Sequence, residues 1–78
     1  MTYEVCIYYE TWAGESPYLI HPYENKKTAM EVVRRLRRRY RRKGLKRVYK
    51  RPYGHLVEAW ALSKDDDEDH YIEMYPLN

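Results

Sequence analysis

The 78 residues carry 15 Lys and Arg against 12 Asp and Glu, a net charge of +3, yet 12 of those basic residues and no acidic one lie between Arg34 and Arg51. That segment is therefore +12, and the remainder, with three bases against twelve acids, is −9. A chain this short is expected to form one small domain, its longest uncharged stretches fall far short of the roughly 20 apolar residues of a membrane span, and Cys6 alone can close no intrachain disulfide or Cys-based zinc cluster.

Along the chain, Thr2 to Glu10 alternates, with Tyr3, Val5, Ile7 and Tyr9 on one side and Glu4, Cys6, Tyr8 and Glu10 on the other. This is the pattern of a half-buried strand. The early acidic residue does not fit a secretory leader, so a reducing cytoplasm is the expected compartment. Thr11 to Pro17 has a loop composition, and Tyr18-Leu19-Ile20 reads as a short edge strand or a buried loop anchor.

Thr28 and Glu31 have the spacing of a capping box, and Gly44 that of a left-handed C-terminal cap, which predicts a helix between them. Ala29, Val32, Val33, Leu36 and Tyr40 share one stripe about 100° wide at 100° per residue. Arg34, Arg38 and Arg41 occupy the opposite side, flanked by Arg35, Arg37 and Arg42. Beyond Gly44, Leu45 to Arg51 alternates as a strand with no apolar side to mark its inward face. Pro52-Tyr53-Gly54 reads as a hairpin turn. His55 to Leu62 gives the next strand, the acidic run Asp65 to Asp69 a turn, and His70 to Tyr75 a last strand before Pro76.

The expected architecture is a two-layer α+β fold, order β-(β)-α-β-β-β, with one amphipathic helix on a three- or four-stranded, mainly antiparallel sheet. One helix covers one face of such a sheet. The other face, carrying Cys6, Tyr8 and aromatics of the later strands, is left to solvent, a partner or a homodimer. There are ten Tyr, two Trp and no Phe, so every large ring brings a polar group suited to a half-wet surface.

The basic tract is the strongest functional signal. Like charges at i, i+3 and i+4 cost a few tenths of a kcal/mol each, and only Glu31 relieves them, so a helix built for stability alone would interleave acids. Arginine's planar fork suits phosphate and carboxylate. The expected binding residues are Arg34, Arg35, Arg37, Arg38, Arg41, Arg42, Lys46, Arg47, Lys50 and Arg51, with Tyr8, Tyr49 and Tyr53 as stacking or interface residues and Tyr40 assigned to the core. No Asn, Gln, Ser or Thr, the residues that read base edges, is mixed among the arginines, so nucleic-acid binding would be directed to the backbone. The acidic run lacks the alternate spacing and glycine of a calcium loop, and in a net-positive chain it makes a poor phosphate mimic. It reads as a solvated turn able to pair with arginines of its own or another chain, and the two signs on one body favour self-association.

His21, His55 and His70 are scattered, and no Ser or Cys motif marks a nucleophile. The stretch from Val32 to Trp60, a helix and then a hairpin with Gly54-His55 at its turn, resembles the HicA-type messenger-RNA-cleaving toxins. That resemblance would make His55 a catalytic base. It spans under half the chain, and the leading strand, the all-basic helix and the missing second helix depart from the pattern.

The sequence thus leads to a small non-enzymatic protein, without metal or cofactor, that docks on an anionic protein or nucleoprotein complex through its Arg-rich helix. Its format is that of compact phage-encoded inhibitors, anti-CRISPR proteins among them, an analogy of class alone. Direct DNA or RNA binding is the alternative.

Overall fold

The structure, a computed structural model, describes residues 2–11, 14–52, 56–63 and 69–77. Tyr53 and His55, the Pro52-Tyr53-Gly54 turn beyond Pro52, and the acidic run before Asp69 lie outside them. Elements follow as β1 (Thr2–Thr11), β2 (Gly14–Tyr23), α1 (Lys26–Arg42), β3 (Lys46–Arg51), β4 (Leu56–Ala61) and β5 (Asp69–Leu77). The five strands form one antiparallel sheet in the order β2-β1-β5-β4-β3, and α1 lies across one face of it, chiefly over β1, β5 and β2. This is the expected α+β fold with one strand more than the higher expected count. No helix among the described residues is long and apolar enough to cross a membrane.

The helix starts earlier than the capping-box spacing suggests. Asn25 is the N-cap, and its Oδ1 accepts from the Thr28 amide at 2.9 Å and from the Thr28 hydroxyl at 3.1 Å. Thr28 therefore sits in the first turn, its hydroxyl occupied by the true cap. The other end follows expectation. Gly44 adopts φ +87°, its amide donates to the Arg41 carbonyl and that of Leu45 to the Tyr40 carbonyl, both at 3.0 Å. These are the paired bonds of a Schellman cap. They turn Leu45 down into the core and send the chain into β3.

Gly14 to Pro17, expected as loop, belongs to β2, because continuous pairing with β1 outweighs local composition. The register slips between Ile7 and Tyr8, which face Leu19 and Pro17. A bulge is where a residue without an amide hydrogen fits, and β2 is an edge strand. Pro76 likewise extends β5 rather than stopping it. β4 pairs with β5 only as far as Met74, so at Pro76 the strand has β1 on one side alone.

The helix-facing side of the sheet follows the alternation. Val5 and Ile7 stand opposite Met74 and Ile72, and Leu56 and Trp60 complete the layer. Ala29, Val33, Leu36, Tyr40 and Leu45 close it from above. Leu62, grouped with Leu56 and Trp60 by alternation, lies past the end of β4 and is exposed. In β3 a bulge between Arg47 and Tyr49 breaks the strict alternation: Arg47 pairs with Trp60 and Lys50 with Glu58 on the helix side, while Lys46, Tyr49 and Arg51 lie on the other face with Ala61, Ala59 and Val57.

Because Asn25 rather than Thr28 caps the first turn, Asn25→Ala is expected to cost about 1 kcal/mol of stability, and Thr28→Ala to change it by no more than a few tenths, since alanine's better helix propensity offsets the lost hydroxyl contact. Urea denaturation of the two variants measures the difference.

Candidate anion-docking surface

The stripe that buries Val33, Leu36 and Tyr40 turns Arg34, Arg35, Arg38 and Arg42 outward, and all four are exposed. Arg34, Arg38 and Arg42 form a row with about 6 Å of rise between neighbours. None of the four makes an ion pair among the described residues. Between Arg34, Arg35, Arg38 and Glu31 lies a shallow trough of about 270 Å3. Three arginine side chains around an open trough, against the single acid Glu31, which makes no ion pair with them, present a surface for carboxylate or phosphate oxygens.

Arg37 does not belong to this surface, contrary to the sequence expectation. Its guanidinium reaches down the flank of α1 to Glu58, a carboxylate with 0 % exposure. Arg37 Nε donates to both Glu58 oxygens at 3.0 and 2.8 Å, and Nη2 donates to Oε2. Trp60 Nε1 donates to Oε1 at 3.1 Å, and Arg47 Nη1 approaches Oε2 at 3.9 Å. Burial by itself would raise the Glu58 pKa, but the hydrogen bonds and charge of Arg37, with Trp60 and Arg47, outweigh it and hold the carboxyl below its ordinary value. Arg41, expected with Arg34 and Arg38 on the outward side, instead sits one turn on from Arg37 and 5.6 Å over the Trp60 ring as a cation–π cap, and Arg42 takes its place in the outward row. The sequence signal for this pairing was weak but present: Glu58 is the one acid among the inward positions of a buried strand, and such a carboxylate requires a cation.

The β3 cations divide between faces. Arg47 and Lys50 lie toward the helix, and Lys46 and Arg51 toward the open face, along an edge strand exposed throughout. Charge there also protects the edge from pairing with another chain. On the flank between α1 and β3 an opening of about 490 Å3 is lined by Lys26, Met30, Arg37, Lys50, Leu56 and Met74. On the opposite flank a smaller one of about 260 Å3 includes Arg39, Tyr40, Lys43, Tyr9 and His70.

Tyr8 and Tyr49 are not brought to the arginine row. They occupy the open face of the sheet, in a cross-strand line running Tyr8, Tyr71, Ala59, Tyr49. Beside them Glu4 accepts from the Tyr75 hydroxyl at 2.6 Å and the Cys6 thiol at 3.2 Å. These two bonds hold Glu4 below the usual carboxylate range. Burial pushes the Cys6 thiol up, and contact with Cys6 and then Glu4 pushes the Tyr75 phenol well above its usual value. Cys6 is thus a buried thiol whose surroundings disfavour the thiolate. His21 and His70 pair with β1 residues four apart, Val5 and Tyr9, and share no site. His55, the base implied by the toxin resemblance, lies outside the described residues.

Glu58→Ala is expected to cost about 3–5 kcal/mol by leaving Arg37 without its buried partner, whereas Arg34→Ala stays within about 0.5 kcal/mol. A depressed folded pKa means that the Glu58 contribution is full above the ordinary carboxylate value of 4.5 and is lost as pH falls through the lower folded value. Glu58→Gln should be less damaging than alanine and should remove that part of the acid dependence, as read by denaturation between pH 7 and pH 3. Cys6 should react with iodoacetamide at pH 7.5 on the order of tenfold or more slowly than in urea-unfolded chain. No protein-family model, curated protein or solved structure significantly matches this chain.

Proposed function

We propose that this chain is a small non-enzymatic binding protein that docks on the anionic surface of a protein or nucleoprotein complex through Arg34, Arg35, Arg38 and Arg42. The observation that carries this reading is the outward row of exposed arginines with no ion-pair partner among the described residues. Their mutual repulsion at i and i+4 works against the helix, and an anionic partner would relieve it. The opposite face supports a protein or mixed partner over bare nucleic acid, since Glu4 and Glu73 stand there among tyrosines and would repel phosphate. A compact inhibitor of a larger nucleoprotein machine, of the phage-encoded kind, fits this division, with a reducing cytoplasm as the proposed setting.

Direct nucleic-acid binding is a second reading, favoured by one feature: Tyr9, Tyr40 and His70 gather beside Arg39 and Lys43 at the edge of the same helix. If about six phosphates were neutralised, log affinity would fall with log salt at a slope near −5 on duplex.

The first reading is tested by affinity capture from the native host with the wild type and with Arg34, Arg38 and Arg42 all changed to Glu. These side chains are exposed, so the variant should fold. An anionic partner retained by the wild type at low salt and lost by the variant is the expected result, and a partner retained equally by both rules out docking through this row. A mobility shift with duplex and single strands at about 50 mM salt tests the second, and no shift there excludes it.

A further inference from the structure

Beneath the C-terminal half of α1 a chain of rings runs across the sheet. Tyr9 and His70 face each other from β1 and β5 with centroids 5.6 Å apart and planes at 46°. His70 lies 5.6 Å from Tyr40 at 54°, and Tyr40 lies 5.8 Å from Trp60. Trp60 and Tyr40 are buried, but Tyr9 is 36 % exposed, and at this outer end the rings open into the cavity of about 260 Å3. Ile7 and Leu36 add apolar lining, and Arg39 and Lys43, one helical turn apart, supply two exposed cations. A pocket this small suits one flat ring rather than an extended ligand, and its charge calls for an anion next to that ring.

We propose that this pocket receives one unpaired nucleobase of a single-stranded nucleic acid, stacked against Tyr9 and His70, with the adjoining phosphates on Arg39 and Lys43. An aromatic side chain of an acidic protein could also enter such a space. The cations favour the base: Arg39 and Lys43 continue into Arg35, Arg38 and Arg42 on the same helix, so the entering polymer must carry charge at every step beside its ring. A nucleic-acid strand has one phosphate per base, and a polypeptide has no such repeat. The inference rests on the second, nucleic-acid reading above and narrows it, assigning the docked strand to unpaired nucleic acid.

The test compares a fluorescein-labelled single-stranded hexanucleotide with a fully abasic strand of the same length, read by anisotropy at about 50 mM salt. Both carry the same phosphates, so only stacking separates them. The wild type is expected to bind the hexanucleotide about tenfold or more tightly than the abasic strand. Tyr9→Ala should bring the two within about twofold while leaving affinity for the abasic strand unchanged, and Tyr9→Phe should keep the preference. Tyr9 is partly exposed, so neither change threatens the fold. Equal affinity of the wild type for both strands overturns the proposal, and so does binding of neither. Both results leave the arginine row standing, because its own failure is read separately, as capture that survives the triple Glu variant.

Discussion

Glu58 is a carboxylate with no access to solvent, and the position of the helix follows from how it is satisfied. A buried ion of this kind is tolerable only with a cation and hydrogen bonds around it. Arg37 supplies both from α1, Trp60 adds an N–H from the same strand, and Arg47 approaches from β3. The bond of Arg37 to that flank and the buried apolar stripe agree on one rotation of the helix. Val33, Leu36 and Tyr40 point down, Arg41 covers Trp60, and Arg34, Arg38 and Arg42 point away from the sheet. The same bond joins the layers on the side where α1 covers the sheet least, toward β4 and β3.

The consequence is a molecule with two unlike broad surfaces. Above the helix the cations stand without acids beside them except Glu31. Across the sheet, the open face is tyrosine-rich and carries Glu4 and Glu73, with Cys6 sealed among its neighbours. The net charge describes neither. What matters to a partner is that one surface offers forked donors and the other offers half-buried rings with carboxylates, and electrostatic complementarity of that kind governs orientation and rate of encounter more than raw affinity.

Much of this arrangement was legible in the sequence, for reasons that can be stated residue by residue. The alternation of Tyr3, Val5, Ile7 and Tyr9 and the stripe from Ala29 to Tyr40 are direct records of burial, and Gly44 records a backbone angle other residues avoid. What stayed hidden depended on long-range partners. Gly14 to Pro17 has loop composition and is held as strand by β1. Thr28 has the spacing of a cap, but Asn25 reaches the amide first. β3 has no apolar side, so its bulge and the division of Lys46, Arg47, Lys50 and Arg51 between faces could not be read from it. Arg37 is chemically identical to its neighbours, and only the rotation of the helix over Glu58 separates it from the surface row.

The account is tested most directly by asking which face meets a partner in the cell. A photo-crosslinking residue placed at position 38 and, separately, at position 71 samples the arginine row and the tyrosine face. The account predicts adducts with an anionic macromolecule from position 38, lost when Arg34 and Arg42 are changed to Glu. Adducts from position 71 alone, or adducts from position 38 that persist without those arginines, would contradict it.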